Sequence, residues 1–264
     1  MKVTNWDHEL IDIDEYPKEI FDKKESILAN SVIAINFDLL RKIKPDQKIL
    51  EIGCGSYSWI KENLNDNKII WNGLDVKKYS KDELNIATEI GSVHDMSYED
   101  SSFDYILSNQ SIEHWSEYNV EIEDGFKEMG RCLKFEGEIF INFPLYLHGE
   151  PIFVKGRMDI IKNKIEKYFL IKNIVAYYST SHDDYKGWSL CGFPDWYVPS
   201  NANTSFVVNV ILKKKSNFDY SKKNIKKNNL KRRNKYILHL RYGVIYFIWK
   251  MFNYIKKISK YEYK

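Results

Sequence analysis

Residues 49–57, Ile-Leu-Glu-Ile-Gly-Cys-Gly-Ser-Tyr, constrain this chain more than any other stretch. Ile49, Leu50 and Ile52 make the apolar run of a parallel strand covered on both faces. Gly53 and Gly55 let the backbone enter positive φ and let a ligand approach it closely. A helix beginning near Ser56 or Ser58 would aim its free N–H groups at whatever rests on the turn. Strand, glycine turn and helix in this order open a doubly wound α/β sheet and form a nucleotide-type cofactor site.

The dinucleotide fingerprint G-x-G-x-x-G is broken, because Ser58 stands at the third glycine. Glu51, two residues before Gly53, would repel a pyrophosphate and suits a cation. A second strand over residues 68–75 ends at Asp75, 24 residues after Glu51. That is near the ~20-residue offset at which an acid takes a ribose diol. One carboxylate accepts from both hydroxyls. Residues 91–104 run from Gly91-Ser-Val-His-Asp to a Phe103-Asp104 pair. The next strand delivers Asn109 and Gln110, and an amphipathic helix follows over residues 120–133. Residues 134–137 read as a turn into a strand over 138–143, which Pro144 should stop.

The pattern Glu51-x-Gly53-x-Gly55 resembles the first motif of class I S-adenosylmethionine-dependent methyltransferases of the type 11 kind. The four pieces arrive in that family's order and spacing across residues 48–144. The resemblance implies an α/β, doubly wound, seven-stranded Rossmann-like sheet. Two further strands are expected near residues 169–178 and 204–213, the last antiparallel. It also implies S-adenosylmethionine as cofactor. Glu51, Gly53 and Gly55 would serve the methionyl end and Asp75 the ribose. Ser92 and the Val93 N–H would meet the adenine, with Asn109 at the cofactor's edge. Two positions depart from the family: Tyr57 replaces a glycine, and Ser92 stands where an Asp is usual, so His94 or Asp95 could take over adenine recognition.

Methyl transfer from a sulfonium is a direct displacement that needs alignment and a dry site. A base is required only when a hydroxyl acceptor must lose its proton. His114, in the loop leaving the fourth strand, is the candidate base, and fixing that loop is its structural alternative. Adjacent Glu113 is expected to point elsewhere. His148, just past the fifth strand, is a candidate acceptor contact, or else part of a turn closed by Gly149. Trp188 and Trp196 lie in an aromatic loop over residues 184–206 that reads as a lid on the acceptor pocket or as edge packing. His94 and Asp95 would be half a metal site with no third ligand suggested by spacing, so no metal is expected.

The 264 residues suffice for one ordinary domain plus additional material. The divisions expected are a helical cap over 1–44, a methyltransferase domain over 45–214 and a basic extension over 215–264. Residues 213–264 carry 17 Lys and Arg against two acids, a charge of +15. The remaining 23 basic and 35 acidic residues give residues 1–212 a charge of −12. An acidic body does not suit nucleic acid as substrate. Residues 236–258 repeat apolar and aromatic residues at helical steps with Lys and Arg beside them. Peripheral membrane contact and a packing or homodimer helix fit that stripe equally. Cys54, Cys132 and Cys191 show no paired spacing, and the first residues lack an apolar signal core, so the expected location is cytoplasmic. If the tail binds lipid, that becomes the inner membrane face.

Residues 108–115 and 142–149 are similar to a group of methyltransferases encoded with bacterial capsule and lipopolysaccharide pathways. That similarity implies O-methylation of a sugar, nucleotide sugar or related precursor. N- or phosphate/phosphoramidate-type methylation of a capsule building block is the alternative. A non-catalytic cofactor-binding partner is the alternative of another class.

Overall fold

The computed structural model describes residues 2–5, 27–77, 86–145, 147–178 and 206–221. Eight strands form one sheet: β1 (Lys2–Asn5), β2 (Lys48–Ile52), β3 (Ile70–Asp75), β4 (Glu89–Ile90), β5 (Phe103–Asn109), β6 (Leu133–Leu145), β7 (Phe169–Tyr178) and β8 (Phe206–Lys214). Their order is β1-β7-β8-β6-β5-β2-β3-β4. β2 pairs in parallel with β3 and β5, β3 with β4, and β5 with β6. β8 runs antiparallel to β6 and β7, as expected of the last strand. The strand order reverses between β2 and β5, and there the carboxyl ends open a crevice. β1 is an addition to the expected seven strands. It pairs antiparallel with β7 at the sheet edge, so residues 2–5 do not belong to a helical cap.

Period-two alternation sends the strands' side chains to two cores. Ile49, Leu107, Phe140 and Ile211 meet Ile35 and Leu39 of α1 (Ile27–Leu40) and Ile60 of α2 (Trp59–Asn63). Leu50, Ile52, Ile106, Ile139 and Ile141 face the opposite core. That core also holds side chains of a 3₁₀ helix (Ile112–Tyr118), α3 (Ile122–Cys132), α4 (Pro151–Val154) and α5 (Met158–Tyr168). Both faces are therefore covered, which is why β2 reads as a continuous apolar run.

Two expectations are corrected here. Pro144 does not stop β6, because it pairs in register with Val207 of β8. The Asn142 carbonyl faces the β5 side, where it accepts from the Gln110 N–H at 2.8 Å. Pro144, two residues on, turns its missing N–H to that same side, and β5 has already ended at Asn109, so no ladder bond is lost. Residues 134–137 are not a turn outside the strand. They bulge within β6, with Phe103 opposite Leu133 but Tyr105 opposite Glu138. The start of the basic extension packs on the domain. Tyr220 is buried, stacks on Phe169 at 5.9 Å and donates its hydroxyl to the Tyr168 carbonyl, while Phe218 packs edge-on to Tyr168.

Candidate active site

Both turn glycines take the left-handed conformation, φ 72° at Gly53 and 64° at Gly55. A side chain on Gly53 would also strike the Ser111 hydroxyl, so the turn lies tight against the end of β5. The Gly53 N–H donates to the Leu74 carbonyl at 2.8 Å and the Gly55 N–H to Asp75 Oδ2 at 2.9 Å. Asp75 Oδ1 accepts the Lys77 N–H at 3.0 Å. A carboxylate offers about four acceptor positions, so each Asp75 oxygen can accept a further hydrogen bond.

Glu51 sits elsewhere than its expected place. Its face of β2 is that of Ile49, under α2 rather than in the crevice. There it is buried, accepting from the Ser58 hydroxyl and, at 3.0 Å, from Trp71 Nε1. Burial pushes its carboxyl up from 4.5 to about 7, against the opposing pull of those two hydrogen bonds and of Lys61. Ser58 also caps α2 by accepting the Lys61 N–H at 3.1 Å. Glu51 thus braces the helix start behind the glycine turn. Tyr57 projects outward, 58 % exposed.

A cavity of about 260 Å³ lies at the crevice. Gly53, Asp75, Ser92, Val93, Gln110, Ser111 and His114 line it, and Glu51, Gly55 and Asn109 do not. Ser92 and His94 are both buried, joined by a 2.6 Å hydrogen bond between Oγ and Nδ1. The loop bearing them is clamped from α3, which the sequence did not reveal. Buried Arg131 donates to the carbonyls of Met96 and Tyr98 at 3.2 and 2.7 Å, and to Asp100 at 2.7 Å. Two further bonds, at 2.8 and 2.6 Å, tie Arg131 to Glu128, which accepts the Met96 N–H at 3.0 Å. Only the i, i+3 spacing of Glu128 and Arg131 on an amphipathic helix hinted at the pair.

At the other end of the cavity, Asn109 turns toward α1 and donates to Asn36 Oδ1 at 3.2 Å. Gln110, at φ 48°, takes the lining position instead. His114 lines the cavity, and its Nδ1 lies 2.7 Å from Glu117 Oε1. The His148 ring stacks on it at 4.8 Å and 19°, and fully buried Glu113 lies beside both imidazoles, not turned away from them. The 3₁₀ helix that gathers these residues was not expected, since its residues show no helical period. Trp188, Trp196 and residues 236–258 lie outside the described residues. No helix among the described residues is long and apolar enough to cross a membrane.

Residues 50–141 match the family model described as a methyltransferase domain. A search of the curated proteins finds no match. Among solved structures the chain is similar to the [4+2]-cyclase SpnF, at 15% identity over 72% of this chain and 84% of that one, TM-score 0.51. It is also similar to MccD protein, at 14% identity over 71% and 98% of the two chains, TM-score 0.49. A third is a Haemonchus contortus phosphoethanolamine N-methyltransferase in complex with S-adenosylhomocysteine, at 17% identity over 70% and 52%, TM-score 0.46. The likeness to SpnF supports the doubly wound fold and leaves the reaction to the site.

Proposed function

We propose that this chain is an S-adenosylmethionine-dependent methyltransferase, a reading supported by its match to a methyltransferase domain and by the lining of the crevice, and that it methylates an oxygen of a small polar acceptor. The acceptor we infer is a sugar or sugar precursor of surface polysaccharide. When bound, the cofactor supplies a methyl group on a sulfonium. Gly53, Asp75, Ser92 and Val93 would hold it along the cavity, and the spare lone pairs of Asp75 fit its diol.

The observation that carries an oxygen acceptor is the His114–Glu117 pair on the cavity wall. With Nδ1–H donating to Glu117, His114 presents an unprotonated Nε2. That nitrogen takes the acceptor hydroxyl's proton as the oxygen–methyl bond forms and the methyl–sulfur bond breaks. An amine or phosphate acceptor would not call on this pair as a base. The sugar reading draws on the sequence similarity of residues 108–115 and 142–149. The test is release of S-adenosylhomocysteine by the full chain across a panel of nucleotide sugars. His114→Ala should lower turnover at least tenfold with cofactor affinity little changed. Unchanged turnover would remove His114 from the chemistry, and cofactor binding without turnover on any sugar would remove the acceptor class.

A further inference from the structure

We propose that Glu113, His114 and His148 hold a divalent cation of the zinc class at the acceptor end of the cavity. One donor atom from each lies within 4.8 Å of the others. The His148 and His114 Nε2 atoms are 3.7 and 4.0 Å from Glu113 Oε1. Zinc–ligand bonds of about 2.1 Å in tetrahedral geometry set donors about 3.4 Å apart, so closing on an ion requires the donors to draw together and the stacked imidazoles to rotate until their lone pairs converge. Spacing along the chain concealed the set. Glu113 and His114 are neighbours, and His148 comes from the far side of β6.

Glu113 supplies an independent reason. Its side chain is fully buried, yet neither carboxylate oxygen receives a hydrogen bond from the described residues. An ionised carboxylate without donors is costly in so dry a place, and a cation is the partner that relieves it. The geometry around it is built. The Glu150 N–H donates to the Glu113 carbonyl at 2.7 Å and fixes the loop that carries His148. Gly149, at φ 94°, has no room for a side chain against the Glu113 backbone, which brings that loop into contact. Glu117 at 2.7 Å from His114 Nδ1 is the outer carboxylate that orients a metal-binding imidazole.

Two imidazoles and one carboxylate suit zinc-like ions better than magnesium or calcium, which prefer all-oxygen shells. Three protein ligands leave a fourth position free, and His114 borders the cavity. With the ion bound, the His114 Nε2 lone pair serves the metal. An acceptor hydroxyl on the open position would then lose its proton to solvent, its pKa lowered by the ion. The role of the ion rests on the methyl-transfer reading, whereas its binding does not.

The experiment is calorimetric titration of chelator-treated full-length protein with zinc chloride, and in parallel with S-adenosylhomocysteine. One zinc per chain should bind at micromolar affinity or tighter. Glu113→Gln and His148→Ala should abolish it, and Glu117→Gln should weaken it 10- to 100-fold. His148 is exposed on its loop, so its variant stays folded, as an unchanged circular dichroism spectrum will confirm. Cobalt substitution should give a visible spectrum that His148→Ala loses. Absence of zinc binding, or equal binding by the Glu113 and His148 variants, overturns the site. If S-adenosylhomocysteine still binds then, the cofactor reading stands alone. Zinc binding without cofactor binding would overturn the cofactor reading and keep the metal.

Discussion

Replacing Glu51 by Gln should make the protein more stable above neutral pH and change nothing in acid. Glu51 rises from an ordinary 4.5 to about 7 because burial strips water from its carboxylate more than Ser58, Trp71 and Lys61 compensate. At about 1.36 kcal/mol per decade, folding disfavours the ionised form by roughly 3 kcal/mol. Between pH 4.5 and 7 the folded chain holds a proton that the unfolded chain has released, so this contribution weakens stability as pH rises and levels off above about 7. Gln keeps an oxygen for the Ser58 hydroxyl and the Trp71 N–H and carries no charge. The stability difference between Glu51→Gln and wild type should therefore be about 3 kcal/mol larger at pH 8 than at pH 4.5, and any amide misfit would lower both values alike and leave that gap intact. For a domain of this size that is a gap in Tm of roughly 6–12 °C, readable by scanning calorimetry or urea titration at the two pH values. Parallel stability curves for the two proteins would refute the reasoning, because the carboxyl would then titrate alike folded and unfolded.

Asp75→Ala should reduce S-adenosylhomocysteine affinity at least tenfold by calorimetry, since it removes the diol acceptor and frees the Gly55 N–H. Arg131→Ala should cost about 3–5 kcal/mol in urea unfolding, because Glu128 would stay buried without its partner. Tyr220→Ala should cost roughly 3 kcal/mol, and a chain ended at residue 214 should melt well below one ended at 221.

The sheet was readable because its strands obey local rules. The glycine turn, the carboxylate that ends β3 and the β6 run each announce themselves within a few residues, and Phe169–Tyr178 falls where expected. Asp75, placed by its offset from the glycine turn, and Ser92 and Val93, placed by the family resemblance, all line the cavity. What escaped depends on pairing between distant segments. Glu51's direction was set by which face of β2 meets α2, and Pro144 was harmless only because β5 ends early. His148 reached Glu113 through a loop whose path no pattern encodes. Tyr220 looked like part of a charged tail because one buried aromatic among lysines has no period.

Helix α1 is fastened to the sheet by amides and a hydroxyl as well as by apolar packing. Asn142 Nδ2 donates to Ser31 Oγ at 3.1 Å and to Asn209 Oδ1 at 2.5 Å. Asn209 Nδ2 reaches the Ser31 carbonyl at 3.0 Å, and Asn109 reaches Asn36 at 3.2 Å. Oily surfaces can slide past each other with little change in energy, but directional bonds at two levels of a helix fit one setting. Shifting α1 by a turn would strand these buried groups at about 1–3 kcal/mol each. The helix therefore behaves as a keyed part. It is seated or it is off, and any motion of this helix against the sheet must unseat it whole.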